Sequence, residues 1–281
     1  MPFEPINGTS SADTLIKHSS GSGGDWILHH VTDSNYLDFE PFGRVYLPHL
    51  DIFGIDISIT RHVVFMWVVA VILILILISV SRNYKKSLIP RGFSTFIEIM
   101  VVFVRDEIVK PTIGHEYRKF LPYLLTVFFF ILLSNLFGLL PYSATVTSNI
   151  AVTGALAGMT FLMIQYGGIK SYGFFGYFKA LIPKGMPLPI LPLIIVVEIL
   201  GLFTKPFALC VRLFANMIAG HVVILSLLGL IFIMGTVIVA PVSVVFALFI
   251  YLLELLVALI QAYIFTMLSS LFIGMAAHQE H

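Results

Sequence analysis

Residues Val63–Val80 form a run of eighteen positions with one polar side chain, Ser79. That length and purity match a helix crossing roughly 30 Å of hydrocarbon. Four more apolar stretches follow: Phe120–Pro141, rich in Phe and Leu; Asn149–Tyr166; Leu188–Ala240; and Pro241–Gly274. The third carries Gly154, Ala155, Ala157 and Gly158, small residues that let helices approach closely in lipid. Composition agrees, with 58% hydrophobic and 11% charged residues over 281 positions and a mean hydropathy of +0.99. Ordinary globular domains run near 45–50% apolar and about 25% charged. That balance excludes a disordered chain and a partner made of nucleic acid, and argues against a water-soluble globule. One cysteine excludes a disulfide framework and a cysteine-built zinc site. There is no glycine-rich phosphate loop, no acidic calcium loop and no internal repeat of 20–50 residues, so neither cofactor nor metal is expected.

The expected fold is all-α and polytopic: five transmembrane spans, an interfacial amphipathic helix and a long tilted carboxy-terminal hairpin. The last two stretches exceed what a perpendicular span needs, and a helix longer than the hydrocarbon is thick must tilt. Over Phe96–Ile113, Ile97, Met100, Val104 and Ile108 alternate with Glu98, Arg105, Asp106, Glu107 and Lys110. Those charges are too dense for a span and suit a helix at the interface, with Pro111 and Gly114 expected to end it.

Lys and Arg set the orientation. Residues 1–61 carry three basic against eight acidic side chains, a net −5, whereas 82–119 carry eight against four, a net +4. The link 142–148 has no basic residue, and 168–187 has Lys170, Lys179 and Lys184. The positive-inside rule then places 1–61 as an extracytoplasmic tail, 62–81 as the first span and 82–119 as a cytoplasmic loop. Residues 120–187 hold two middle spans and their link, and 188–281 hold the hairpin. The polar residues 1–24 read as no signal peptide. A bacterial inner membrane is the expected location, with an organelle as the alternative.

The hairpin holds groups that hydrocarbon resists: Glu198, Lys205, Arg212, Asn216, His221, Glu254 and Gln261. Arginine or lysine at a helix centre costs about 2.5–3.5 kcal/mol on insertion scales. Apolar sequence continues on both sides of Arg212, so it is read as a functional charge rather than a snorkelling one. Glu198, Lys205 and Arg212 are seven apart and share a slowly drifting stripe, which Asn216 joins four residues on. His221, nine after Arg212, falls on the opposite face. Glu254 and Gln261, also seven apart, share a face of the last helix. Pro206 is expected to kink its helix. The pattern resembles a proton path with a fixed charge. Singly, Glu198 is open to being a protonated hydrogen-bond donor, Gln261 packing glue and Lys205 a snorkelling side chain.

Lys205-Pro206 and Arg212-Leu213-Phe214-Ala215-Asn216-Met217 through His221 closely resemble the signature of subunit a of F-type ATP synthases. So does Leu259-Ile260-Gln261-Ala262-Tyr263-Ile264-Phe265. Ser134 through Pro141 with Thr147-Ser148-Asn149 is similar to that family's middle helices, and Phe103 through Glu107 to its interfacial helix. The likeness covers roughly 60–281. It implies a non-catalytic stator subunit of the ATP synthase complex that passes protons through two offset half-channels beside a rotating ring of c subunits, with peripheral-stalk b subunits and membrane lipid as further partners. Arg212 would separate the half-channels, with Asn216 and Gln261 near it. Glu198 would serve the cytoplasmic half-channel, and His221 with Glu254 the outer one. A secondary transporter is the rival, but no inverted repeat is visible. A sodium-translocating version of the same subunit is the nearer alternative. A haem cytochrome would need paired histidines within spans, and a plain anchor has no use for Arg212, Glu198 and Glu254.

The orientation is testable by cysteine labelling at Ser20 and Ser87 in intact cells. An impermeant reagent added outside should reach Ser20→Cys and miss Ser87→Cys; the reverse pattern overturns the orientation.

Overall fold

The computed structural model describes residues 36–38, 44–46, 51–52, 55–56, 60–86, 92–140, 145–173, 175–177, 191–234 and 239–277. Two compact units are present: residues 33–218 with 252–281, and residues 219–251 with 1–32, the latter segment outside the described residues. Among the described residues, five helices are long and apolar enough to cross a membrane.

In the larger unit, two short antiparallel hairpins come first. Strand β1 (Tyr36–Asp38) pairs with β2 (Arg44–Tyr46), Tyr36 opposite Tyr46. Strand β3 (Asp51–Ile52) pairs with β4 (Ile55–Asp56). They are ten strand residues among the described ones, in a tail whose sequence carries little recognisable pattern. The helices are α1 (Arg61–Lys86), α2 (Phe93–Phe103), α3 (Lys110–Ile113), α4 (Tyr117–Gly138), α5 (Ile150–Tyr172), α6 (Leu191–Met234) and α7 (Val239–Ala277). At about 1.5 Å per residue, α6 and α7 are each roughly twice the hydrocarbon thickness. The smaller unit holds the end of α6 from Ala219 and the start of α7 up to Tyr251.

The segment expected at the interface departs from expectation at Pro111. Helix α2 continues through a π-helical turn, Val104–Val109, into α3, and Pro111 sits inside α3 rather than ending it. The Lys110 N–H reaches back five residues to the Arg105 carbonyl. A widened turn accommodates the proline ring and its missing donor. Gly114 does stop the helix, with φ 71°, a conformation that favours glycine. Val104, Ile108, Val109 and Ile113 are buried in the core, while Phe93, Phe96, Ile99 and Phe103 are exposed.

The hairpin boundaries also shift. Helix α7 begins at Val239, not Pro241, so the proline lies in the first turn, where N–H groups have no intrahelical acceptor. Helix α6 runs through Pro206. Helix α5 runs on to Tyr172, past the expected Tyr166, and stops at Gly173, whose φ is 71°. Asn149 caps α5 by accepting the Ala151 N–H at 2.8 Å.

The core joins Ile97, Val104, Ile108 and Ile113 to Phe120, Leu124, Phe128 and Ile131 of α4, Leu156 and Ile164 of α5, Leu209 and Leu213 of α6, and Phe265 and Ile273 of α7. Polar contacts cross it. The Tyr123 and Thr160 hydroxyls lie 2.9 Å apart, and those of Thr112 and Ser270 2.5 Å apart. At Gly274 α7 meets the Thr112 carbonyl so closely that a Cβ would overlap it.

Gly274→Val is therefore expected to overpack this contact, costing about 1–3 kcal/mol, and to lower the thermal midpoint of the purified protein. Gly158→Ala is the control, because a Cβ there meets nothing within 4 Å. Equal midpoints for the two variants would contradict the close approach.

Candidate functional site

Helices α6 and α7 of the larger unit carry Glu198, Arg212, Asn216, Glu254 and Gln261. Leu209, Leu213 and Met217 repeat every four residues along α6 and are buried, which draws one face of the helix onto the core. Arg212 is about 100° around from Leu213 and is exposed. Ala208 and Ala215, four before and three after it, are exposed as well, so the guanidinium stands on a smooth, small-residue face. Among the described residues Arg212 has no ion-pair partner.

Asn216 and Arg212, expected on one face, are both exposed. Asn216 Nδ2 donates to Gln261 Oε1 at 3.0 Å. Gln261 is 2% exposed and Glu254 4%, so the face these two share is the buried face of α7. Ala258, Ala262 and Phe265 line it with them. An amide pair bonded across two helices satisfies groups that would otherwise be stranded in an apolar setting.

Glu198 is half-buried and has no hydrogen-bond or ion-pair partner among the described residues. Its neighbours Val197, Ile199 and Leu200 are exposed. His221 is half-buried and belongs to the smaller unit. Lys205 is half-buried, and its ammonium lies over the Phe272 ring, 5.4 Å from the centroid.

Two buried polar groups on other helices receive no separate role from sequence reasoning. Asn135 of α4 is fully buried. It accepts the Thr147 hydroxyl at 2.7 Å and donates to the Ala258 carbonyl at 3.4 Å, which props α7 one turn before Gln261. Its signal is an amide in a helix of Phe and Leu. His62, 3% exposed, contacts the Ser148 hydroxyl at 3.3 Å; a histidine immediately before an eighteen-residue apolar run is the visible sign.

Apolar helices of spanning length mark a multi-pass membrane protein, and an arginine, a buried carboxyl and a bonded amide pair retained among them point to an ion path. The family model described as ATP synthase A chain matches residues 63–274. ATP synthase subunit a of Chloroherpeton thalassium is 57% identical over 259 residues, covering 90% of this chain and 77% of the relative. ATP synthase subunit a 2 of Prosthecochloris aestuarii is 50% identical over 285 residues, covering 100% and 87%. ATP synthase subunit a of Anaeromyxobacter dehalogenans is 51% identical over 268 residues, covering 89% and 70%. The chain belongs to the ATP synthase subunit a family, the proton-translocating subunit of that complex. A secondary transporter and a sodium-translocating version are not favoured.

Proposed function

We propose that this chain is a non-catalytic stator that carries protons past a rotating c-ring, with Arg212 as the fixed charge between two half-channels. The observation that carries this reading is an exposed arginine flanked by Ala208 and Ala215, without an ion-pair partner among the described residues. Such a face admits a second helix closely and supplies the charge that helix's carboxylate needs.

The physics follows from the cost of charge in lipid. A ring carboxylate facing hydrocarbon must be protonated, since an unpaired charge there is expensive. Opposite Arg212 it ionises, because a nearby positive charge lowers its pKa. Rotation then requires the carboxyl to release its proton on one side of the arginine and bind another on the far side. The permanent guanidinium charge blocks direct passage between the two. Each proton moved through 100 mV supplies about 2.3 kcal/mol, so several are needed for one ATP.

Glu198 serves the cytoplasmic half-channel in this reading. His221 and Glu254 serve the outer one, where an imidazole and a carboxyl, one base and one acid, pass a proton between them. Asn216 and Gln261 hold the helices beside the arginine. The ring, the peripheral-stalk b subunits and lipid complete the surroundings within the ATP synthase complex. The basic loop 82–119 supports a cytoplasmic placement of that loop and an extracytoplasmic tail, in a bacterial inner membrane.

Arg212→Ala is expected to abolish proton-driven ATP synthesis in membrane vesicles while the complex still assembles. Arg212→Lys should fail too, because an ammonium deprotonates and lacks the planar fork. Wild-type synthesis in assembled Arg212→Ala vesicles contradicts the proposal. For the outer groups, His221→Gln combined with Glu254→Gln should slow proton flux at least tenfold and flatten its pH dependence near neutrality. An unchanged rate and pH profile would remove both residues from the path.

A further inference from the structure

Among the contacts that join α6 to α7 within the larger unit are a hydrogen bond and a cation on a ring face. One is the Asn216–Gln261 hydrogen bond at 3.0 Å. The other is the Lys205 ammonium over the Phe272 ring at 5.4 Å. Their positions obey one rule. Lys205 lies eleven residues before Asn216, and Phe272 lies eleven residues after Gln261. Equal and opposite steps mean one antiparallel register shared by both contacts. Eleven residues are three turns plus about 20°, so each helix presents its two contact residues on nearly the same face.

Arg212 falls between these rungs, four residues from Asn216 and seven from Lys205, or roughly 6 and 10 Å along the axis. The lower rung stands where α6 is weakest. Pro206, next to Lys205, has no N–H and leaves the Leu202 carbonyl without its helical donor, so the helix bends most readily there. A cation on a ring face suits this place: it needs no carboxylate, it holds in apolar surroundings, and it resists sliding because the ring is a single local target. Among the described residues Lys205 has no ion-pair partner that would explain its placement otherwise.

We infer that Lys205 and Phe272 are a positioning pair, a second register-fixing rung that holds Arg212 at one height against α7. The inference rests on the proposed role of Arg212. A slip of one helical turn moves the guanidinium by about 5.4 Å, comparable to the 4–6 Å range over which it controls a facing carboxyl. Apolar packing tolerates sliding better than a directional contact does, and the amide bond fixes the register at one point only; a rung three turns away, beside Pro206, fixes it at a second.

The test uses the assembled complex in membrane vesicles with two readouts. The first is disulfide cross-linking in a Cys210→Ser background. Leu209→Cys with Leu268→Cys reports the native register, and Leu209→Cys with Ile264→Cys reports a slip of one turn. Lys205→Met and Phe272→Leu should each raise the slipped product several-fold, and the double variant should do no more than either single one. Lys205→Arg and Phe272→Tyr, which keep a cation over a ring, should keep the native pattern. The second readout is ATP made per proton passed, which should fall several-fold in Lys205→Met and Phe272→Leu and recover in the conservative variants. If Lys205→Met does not assemble, Phe272→Leu carries both readouts. Native cross-linking and native coupling in Phe272→Leu overturn the rung, whatever Arg212→Ala does. A shifted register with full coupling, together with active Arg212→Ala, instead overturns the role of Arg212 and leaves the rung standing.

Discussion

A guanidinium on an apolar helix face is the constraint that the rest of the fold serves. Arg212 belongs to α6, whose neighbouring stripe of Leu209, Leu213 and Met217 is buried, so burial of that stripe turns the arginine to the exposed side. Its cost in hydrocarbon is met in the proposed mechanism by a carboxylate that comes and goes with a rotating partner. A permanent internal partner would neutralise it, and among the described residues there is none.

Everything behind that face is packed to hold α6 and α7 still. Asn135 props α7 at Ala258, the Thr153 and Cys210 side chains meet at 3.4 Å between α5 and α6, and the Phe161 and Phe203 rings stack at 5.6 Å. At the other end of α7, Ser270 and Gly274 close on Thr112 of α3. The π turn before Thr112 keeps a helix running through Pro111, and so lets an otherwise surface-seeking segment reach the last helix. These contacts are hydroxyls, amides, rings and close backbone approach rather than salt bridges, which suits a setting where burying an unpaired charge costs more than burying a bonded hydroxyl.

The five apolar helices were legible because hydrocarbon imposes length and composition directly on sequence. The shared faces of Arg212 with Asn216 and of Glu254 with Gln261 were legible because helical spacing alone fixes them. What spacing could not supply was partnership between helices: that Asn216 meets Gln261, that Lys205 meets Phe272 rather than only snorkelling, and that Asn135 reaches a backbone carbonyl on α7. Such pairs depend on register, which no single helix encodes. Pro111 misled because a proline is a stop signal only in a regular α-helix. The hairpins of the tail escaped notice because strands of two or three residues carry no periodicity to read.

The central claim is that Arg212 faces an acid brought by another subunit. A density map of the whole complex in lipid, at a resolution that shows side chains, tests it most directly. The account predicts a carboxyl-bearing helix of the ring packed against Ala208 and Ala215, with its acid within about 4–6 Å of the Arg212 guanidinium in at least one rotary state. Lipid chains alone covering that face in every state would contradict it.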